Sequence, residues 1–293
     1  MKIALFIAGP KGANFLRNFC GNATVDFVVS YASKGLQTDA YADIQSICRA
    51  KGYRLLGRDN VLPEHYASVD LVLLAGWQWL SKEVDRRFVV FHDSLLPKLR
   101  GFNPTVTALI AGETEIGVTA FSPIGGDASV ADSGPIFGQE KIPIQYPVTI
   151  RAVYDRLALA YCRLADRLLD AAASGPPSFA DQVASEATYS LWRDENDYRI
   201  NWAMSAEQIS RFVDAIGWPY LGAKSTVLGR EIRIDRVEVC RDLMLVNRCP
   251  GKIWSLAGGI PEVVCGTGMV RILAAREMDG SPVKFTLLRA RFA

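Results

Sequence analysis

Short apolar runs separated by segments of helical spacing constrain the fold of this chain more than any other feature. The run at residues 69–75 (Val-Asp-Leu-Val-Leu-Leu-Ala) is apolar apart from Asp70, which is typical of a strand covered on both faces. Similar runs occupy residues 3–8, 25–29, 88–91 and 118–121, and residues 136–144 look like a further strand. Because helical spacing at residues 41–51 and 105–111 alternates with these runs, the first half predicts an α/β fold with a doubly wound, mostly parallel sheet.

Turn-forming residues and a change in the pattern of apolar residues divide the chain into two parts. The sequence Gly-Pro-Lys-Gly at residues 9–12 predicts a turn after the first strand. A long amphipathic segment at residues 149–173 ends in Ser-Gly-Pro-Pro, which predicts a core domain at 1–177 and a second domain at 178–293. Beyond this break, a helix near residues 206–216 and several short runs predict a smaller, β-rich, barrel-like domain. These runs are residues 231–239, 252–255, 261–265, 270–275 and 283–288.

Composition excludes several classes of function. The net charge of the 293 residues is +2, so we expect neither a nucleic-acid surface nor a surface for acidic membranes. None of the six cysteines forms a C-x-x-C pair, and there are only two histidines. We therefore predict no metal site, and free thiols in a reducing cytoplasm. No run approaches the roughly 18 apolar residues of a membrane span, and the first run reads as a strand, not a signal peptide.

One of the two histidines, His92, falls where the apolar run 88–91 ends and a turn begins. Ligands of open α/β sheets bind beyond the carboxyl ends of strands, and a histidine there can accept a proton near neutral pH. A structural histidine is the alternative. Asp132 is the natural partner, because a carboxylate fixes the tautomer of a histidine, although Asp-Ser-Gly-Pro can also be an ordinary turn. His65 is expected to be exposed.

Three motifs together carry a resemblance to a known family. They are residues 92–101 (His-Asp-Ser-Leu-Leu-Pro-Lys-Leu-Arg-Gly), residues 117–119 (Gly-Val-Thr), and residues 132–136 (Asp-Ser-Gly-Pro-Ile) with Gln139. They resemble the formyltransferases that use N10-formyltetrahydrofolate, which include methionyl-tRNA formyltransferase, glycinamide ribonucleotide transformylase and the sugar N-formyltransferases. The spacing matches over about residues 70–145. Residues 192–193, 200–202 and 219–223 are similar to the second domain of the tRNA and sugar enzymes.

The resemblance implies roles for particular residues. His92 would be the base or the oxyanion partner in formyl transfer to an amine, with Asp132 supporting it. Ser94, Leu95, Leu96 and Pro97 would align the formyl-bearing nitrogen of the folate. Further residues would line the pterin pocket, and core packing is the alternative for its two tryptophans. The proposed lining residues are Trp77, Gln78, Trp79, Leu80, Gly126 and Asp127. The G-x-G-x-x-G signature is absent, so we do not predict NAD.

One departure from the family pattern concerns the oxyanion. The family places an asparagine two residues before the histidine, and Val90 stands there instead. Loss of one oxyanion donor costs on the order of a hundredfold in rate. Three explanations stay open: another donor substitutes, the enzyme is slow, or the protein only binds. Asn103 is our candidate donor, and its alternative role is a helix cap before Pro104.

The charge of one loop indicates which class of amine accepts the formyl group. The tRNA enzyme of this family carries a basic loop after its second strand, but residues 30–41 here contain one Lys and one Asp. A tRNA enzyme needs several phosphate-binding cations, so a nucleotide-linked amino sugar is favoured. The alternatives are methionyl-tRNA, a hydroxyornithine-type amino acid, and a folate- or sugar-binding protein without turnover; a homodimer stays open. Candidate substrate residues, several of which could instead be core, are Trp192, Arg193, Trp202, Trp218 and Tyr220.

Overall fold

The computed structural model describes residues 1–79, 84–127 and 129–293. The chain forms two compact units. The first contains residues 1–105, 114–144 and 152–192, and the second contains residues 106–113, 145–151 and 193–293. None of the helices in the described ranges is both long and apolar enough to cross a membrane.

Strands and helices alternate through the first part of the chain. The strands of the first unit are β1 (Lys2–Ile7), β2 (Thr24–Ser30), β3 (Leu55–Gly57), β4 (Leu71–Ala75), β5 (Phe88–His92), β6 (Arg100–Gly101), β7 (Glu115–Phe121), β8 (Ile136–Pro143) and β9 (Tyr189–Ser190). The helices up to the end of this alternation are α1 (Gly9–Asn18), α2 (Tyr41–Lys51), α3 (Pro63–Tyr66), α4 (Pro104–Ala111) and α5 (Ile150–Ser174).

Seven of these strands form one sheet in the order β3-β2-β1-β4-β5-β7-β8. The pairs from β3 through to β5 are parallel, whereas β5–β7 and β7–β8 are antiparallel. Strands β6 and β9 form a separate parallel pair. The predicted doubly wound, mostly parallel sheet is confirmed. Its order runs outward in opposite directions from β1 and β4, and ligands of such sheets bind beyond the carboxyl ends of these strands.

Both faces of the sheet are covered by apolar side chains. On one face Phe6 and Phe88 belong to a buried cluster, against which Trp77 and Val90 pack. Phe91 contacts a second aromatic group, in which its ring lies 6.0 Å from Phe15 and 5.8 Å from Tyr161. All five residues of β4 are buried. Because neither face of this strand meets water, all of its side chains can be apolar, which explains the continuous apolar run in the sequence.

The second unit contains one antiparallel sheet and helix α6 (Ala206–Ala215). Ser205 caps α6 by accepting a 3.2 Å hydrogen bond from the Gln208 amide. The strands are β10 (Ala223–Val227), β11 (Arg230–Cys240), β12 (Ile253–Ala257), β13 (Ile260–Val264) and β14 (Met269–Glu277). Their order is β10-β11-β14-β13-β12, which leaves β10 and β12 at the two edges.

The last residues of the chain join these two edges. Thr226 in β10 exchanges two 2.8 Å backbone hydrogen bonds with Ala293, and Phe292 donates to Gly251, just before β12, at 2.8 Å. Ile253 in β12 donates to Ala290 at 3.3 Å. The predicted barrel-like, β-rich domain is confirmed, since the two edge strands share one connecting segment.

Two local predictions are wrong. Residues 283–288 are not a strand: after β14 the chain makes a turn, one bridge between Arg276 and Pro282, and then leaves the sheet. Val283 still donates to the Ala275 carbonyl at 3.0 Å, but farther along β14 this side is paired with β13, so no free edge is left for residues 284–288. Residues 9–12 are not an isolated turn but the first turn of α1. Pro10 favours this start, because the first N–H groups of a helix have no intrahelical acceptor.

Candidate active site

His92 is the last residue of β5 and pairs with Thr119 of β7. Its Nε2 lies 2.9 Å from the Leu99 carbonyl oxygen, and its Nδ1 lies 3.5 Å from Oδ2 of Asp132. A carbonyl only accepts, so neutral His92 carries its proton on Nε2 and keeps a lone pair on Nδ1. A proton taken up at Nδ1 would therefore arrive beside a carboxylate.

The surroundings of His92 favour the neutral ring. Burial lowers the pKa of His92 below its ordinary value of 6.5, and the positive charge of Lys11 lowers it further. The Asp132 carboxylate and the Leu99 carbonyl act in the opposite direction and raise this pKa. The ring is thus uncharged at neutral pH, with acceptors placed to stabilise a proton once it is gained.

Asp132 is held in an unusual backbone conformation. Its φ is +54°, in the left-handed region that non-glycine residues seldom adopt. Its Oδ2 accepts a 2.8 Å hydrogen bond from the Gly101 amide. Two residues later, a Cβ on Gly134 would lie 1.8 Å from the Ser122 carbonyl oxygen, so only glycine fits. Strain of this kind persists where the surroundings over-determine it, and such positions cluster at functional sites.

The loop after His92 is closed by its own hydrogen bonds. Ser94 donates from its hydroxyl to the Lys98 carbonyl at 2.6 Å. Thr119 donates to the Ser94 carbonyl at 2.7 Å and accepts from the Leu96 amide at 3.0 Å. Gln139 donates to the Leu96 carbonyl at 2.8 Å. Ser94, Leu95, Leu96 and Pro97 thus form a fixed turn, and their role in aligning a folate stays a prediction.

A partly buried ion pair lies beside this loop. Lys11, in the first turn of α1, donates to the carboxylate of Asp93, the residue after His92. The Lys11 ammonium also lies 4.9 Å from the ring centroid of Tyr154. Burial lowers the pKa of Lys11 to about 8 and raises the pKa of Asp93 to about 8. Burial thus disfavours the charged form of each group, and the contact between them is the interaction that compensates for it.

Trp77, Gln78 and Trp79 follow β4 at the same edge of the sheet. Trp77 packs edge-on against Phe6 at 5.0 Å and Tyr31 at 5.1 Å, so core packing accounts for much of its surface. Trp79 is 51% exposed, and the Arg58 guanidinium lies 4.9 Å from its ring. The Gln78 side chain is exposed. Leu80, which we also predict to line a pocket, lies outside the described residues.

Gly126 and Asp127 fold against the Asp132 loop. A Cβ on Gly126 would meet the Ser133 carbonyl carbon at 2.5 Å, and Ser133 donates to the Asp127 carbonyl at 2.9 Å. The Asp127 carboxylate accepts from the amide and hydroxyl of Ser129 at 2.9 and 2.6 Å. This acid stabilises its own turn, and its contact with a folate stays a prediction.

Val90 and Asn103 bear on the missing oxyanion donor. Val90 packs against the apolar cluster of Phe6 and Phe88. Asn103 stands immediately before α4 with a φ of +50°, and its side chain makes none of the hydrogen bonds found in the described part of the chain. Asn103 follows the Arg100–Gly101 strand that binds Asp132. Its amide is therefore uncommitted, and its service as an oxyanion donor stays a prediction.

The predicted substrate residues have different environments. Trp192 is 63% exposed. Trp202 is buried, donates to Ser225 at 3.0 Å and packs 5.1 Å from Phe292, which accounts for its burial without a ligand. Trp218 carries the Arg151 guanidinium 4.5 Å from its ring. Tyr220 lies 6.4 Å from Tyr198. Arg193 has a buried Nε without a partner among the described residues. Their roles in substrate binding stay predictions.

Several residues near His92 were not predicted from the sequence. Asp93 had a signal, because it directly follows a candidate catalytic histidine, but nothing in the sequence indicated Lys11 as its partner. Gln182 and Thr188 had none, since they lie far along the chain from Asp132 and Leu99, which they contact. His65 is half-buried rather than exposed, and its Nδ1 accepts a 2.9 Å hydrogen bond from the Leu62 amide. Within the described ranges, no group of His, Cys, Asp or Glu side chains could hold a metal ion.

Comparison with known proteins decides the family. Residues 44–164 match the sequence family described as formyl transferase, and residues 193–290 match the formyl transferase C-terminal domain. Methionyl-tRNA formyltransferase of Methylibium petroleiphilum is 30% identical over 222 residues, which cover 74% of this chain and 68% of that protein. The chain belongs to the formyl transferase family. Members of this family transfer formyl groups, so this protein is a formyl-transferring enzyme.

Solved structures with the same fold extend over nearly the whole formyltransferase. HypX from Aquifex aeolicus superposes with a TM-score of 0.64 at 17% identity, covering 97% of this chain but only 47% of HypX. The sugar 3N-formyl transferase WlaRD, solved with dTDP and 5-N-formyl-THF, gives a TM-score of 0.66 at 16% identity over 95% of this chain and 98% of WlaRD. The chain thus spans about half the length of HypX and nearly all of WlaRD.

Proposed function

We propose that this chain is an N-formyltransferase that moves a formyl group from N10-formyltetrahydrofolate to the amine of a nucleotide-linked amino sugar. One observation carries the proposal of amine formylation. A buried, neutral His92 stands at the carboxyl end of β5 with its Nδ1 3.5 Å from Asp132. That pair can accept a proton and hold it, as formylation of an amine requires.

The folate supplies the formyl group when it is bound. His92 accepts the proton of the attacking amine at Nδ1, and the Asp132 carboxylate stabilises the imidazolium that results. The Leu99 carbonyl keeps the ring orientation through its 2.9 Å contact with Nε2. Catalytic distances in a ligand-free protein are often longer than those in the reacting complex. The 3.5 Å separation of Nδ1 and Asp132 is compatible with this role.

The residues beyond the carboxyl ends of β1 and β4 suit a flat heterocycle. Trp79 is half-exposed there and follows Gln78 and Trp77, of which Trp77 packs against the apolar cluster. A Cβ on Gly76 would meet the Ala8 carbonyl at 2.3 Å, so glycine allows the two loops to approach closely. Aromatic faces and backbone edges are what pterin-like rings need. We propose these residues, with Gly126 and Asp127, as the folate side of the site.

The charge that develops on the formyl oxygen needs a donor. Val90 cannot supply one, because its side chain is apolar and packs into the core. We propose the uncommitted Asn103 amide for this role. One well-placed donor contributes on the order of a hundredfold to a rate, and the Asn103→Ala variant should show a loss of that size in kcat.

The choice of a sugar acceptor is supported by charge. The segment 31–40 holds one cation, Lys34, and the Ser33 amide donates to Asp39 at 3.1 Å within the same loop. The fold of the sugar enzyme WlaRD superposes on 95% of the length of this chain. Methionyl-tRNA is the second candidate acceptor, and the 30% identity to a methionyl-tRNA formyltransferase favours it.

A direct assay separates the candidates. The protein is incubated with N10-formyltetrahydrofolate and either a set of dTDP-, UDP- and GDP-linked amino sugars or methionyl-tRNA, and release of tetrahydrofolate is followed. We expect turnover with one nucleotide sugar and little dependence on salt. Turnover with methionyl-tRNA, lost steeply as salt rises, would establish the second candidate instead. No turnover with any acceptor would contradict both.

A further inference from the structure

Residues 178–190 pass beside both loops of the His92 site, and the proposed mechanism uses none of them. We call this segment the strap. Ala180 exchanges two backbone hydrogen bonds with Ile136, at 2.7 and 2.8 Å. Farther along, the Thr188 carbonyl accepts from the Arg100 amide at 2.9 Å, and the Thr188 hydroxyl accepts from the Leu99 amide at 2.9 Å. The strap is therefore attached to the loop after β5 and to the start of β8.

Gln182 lies between these two attachments, and four hydrogen bonds use its amide completely. Its Nε2 donates to the Asp132 carbonyl at 2.8 Å and to the Gly134 carbonyl at 2.7 Å. Its Oε1 accepts from Nε and Nη2 of Arg100, at 3.0 and 2.7 Å. An amide offers two donors and one oxygen with two lone pairs, so every hydrogen-bonding position of this side chain is occupied.

The two loops joined by Gln182 are the two that contact His92. Arg100 follows Leu99, whose carbonyl binds Nε2 of the imidazole. Asp132 carries the carboxylate that faces Nδ1. We propose that Gln182 is a positioning residue, which fixes Asp132 at a set distance from His92 by joining the Asp132 loop to Arg100. This inference rests on the proposed function only in so far as the His92–Asp132 pair performs the chemistry.

The charges around His92 make the proposal measurable. Asp132 faces the ring from the loop before β8, and Lys11, paired with Asp93, faces it from α1. The charge of Arg100 is turned toward Gln182. Among the groups that shift the pKa of His92, Asp132 is the one that Gln182 holds through the Asp132 carbonyl. Its carboxylate raises the pKa of His92, so the size of its effect reports how well it is placed.

The test is an NMR titration of the ligand-free protein. The chain has two histidines, so a His65→Gln background leaves the His92 imidazole as the only one to follow. In that background, Asp132→Asn should lower the pKa of His92 by about one unit, because a nearby carboxylate raises a histidine pKa by that order. In a Gln182→Leu background, we expect the same Asp132→Asn substitution to change this pKa by less than about half as much.

Two further variants keep the test sharp. Gln182→Glu retains the acceptor for Arg100 but cannot donate to the two carbonyls, so it should behave like Gln182→Leu and also covers the case in which the leucine variant does not fold. Val183→Glu adds the same charge on a side chain that is 55% exposed, and should leave the effect of Asp132→Asn unchanged. Near-UV circular dichroism checks that each variant is folded.

Kinetics supply a second measurement. A misplaced catalytic group costs on the order of a hundredfold, so Gln182→Glu should lower kcat by about that factor and alter KM by less than about threefold. Equal effects of Asp132→Asn on the His92 pKa with and without Gln182 would overturn the proposal. Absence of turnover in the unaltered protein would contradict the proposed function but not this titration, which needs neither folate nor acceptor.

Discussion

The loops that follow β4 and β5 lie at one edge of the same sheet and are held by different forces. The loop after β5 is held mainly by hydrogen bonds and an ion pair. His92 at its start, and the neighbouring Asp132 and Gln182, are each bound by more than one partner. After β4, the contacts are aromatic, and Trp79 leaves half of its surface in solvent. A proton acceptor needs fixed distances, whereas a flat ligand needs an accessible face.

The largest expected effect comes from removing the imidazole from the hydrogen-bonded loop. His92→Ala should lower kcat by about a thousandfold, since general base catalysis contributes roughly a hundredfold to ten-thousandfold. Steady-state tetrahydrofolate release measures this loss. His65→Gln is the matched control and should retain full activity. Unchanged turnover in His92→Ala would show that His92 has no part in the mechanism. The two loops would then differ only in how they pack, not in what they do.

Gly134→Ala tests whether the Asp132 loop, which lies between β7 and β8 and borders the loop after β5, tolerates any change of shape. Its added Cβ would lie 1.8 Å from the Ser122 carbonyl oxygen, so the Asp132 loop must move. We expect a loss of about 3 kcal/mol in the free energy of unfolding, at the upper end of overpacking costs. Urea denaturation measures it. Gly217→Ala, where the nearest atom would be 3.5 Å away, serves as the control, and equal effects would contradict the proposed tight fit.

The tryptophans of the loop after β4 should separate stability from binding. Trp77→Ala removes ring contacts with Phe6 and Tyr31, and we expect it to cost about 2 kcal/mol in unfolding free energy. Trp79→Ala removes a half-exposed ring and should cost less than about 0.5 kcal/mol. If Trp79 lines the folate site, its variant raises the KM for N10-formyltetrahydrofolate about tenfold. An unchanged KM would assign Trp79 to the surface.

The smallest expected effect is a shift in pH dependence. The folded-state pKa of His92 is lowered below its unfolded value of 6.5, so the acid limb of kcat/KM should have its midpoint below pH 6.5. Lys11→Gln removes a positive charge that lowers this pKa, and the limb should then move to higher pH by roughly half a unit. A midpoint at or above pH 6.5 in the unaltered protein would contradict the lowered pKa.

The lowered pKa of His92 also makes the stability of the fold depend on pH. The direction of this dependence is opposite to that of a histidine whose pKa is raised by a salt bridge. Between the folded pKa and pH 6.5, the unfolded chain binds more protons at His92 than the folded chain does. Stability from this group is therefore present above pH 6.5 and is lost as the pH falls through that window. His92→Gln should flatten this part of the dependence, which urea denaturation at several pH values can measure.

The sequence predicted what depends on neighbours along the chain. Buried strands such as β4 need apolar residues at every position, so their runs are visible directly, and the position of His92 at the end of β5 follows from them. The first turn of α1 was misjudged because Gly-Pro is compatible with both a turn and a helix start. The prediction for residues 283–288 failed because an apolar run specifies a strand only when a neighbouring edge is available.

Contacts distant in the chain could not be predicted. Gln182 reaches Asp132 across 50 residues, and Lys11 reaches Asp93 across 82. Neither pairing has a local pattern, because both depend on how the β1, β5 and β8 ends converge. Family resemblance placed His92 and Asp132 near each other but did not indicate what holds them there. The supporting contacts of a site are thus harder to predict from one sequence than its reacting groups.

The closed sheet of the second unit gives residues 290–293 an unusual importance. Phe292 and Ala293 hydrogen-bond to residues beside both edge strands, so clipping residues 290–293 would unmask two strand edges in a single event. Exposed edges are templates for pairing with other chains. Loss of these residues should therefore be seen as precipitation of the protein before it is seen as weakened catalysis.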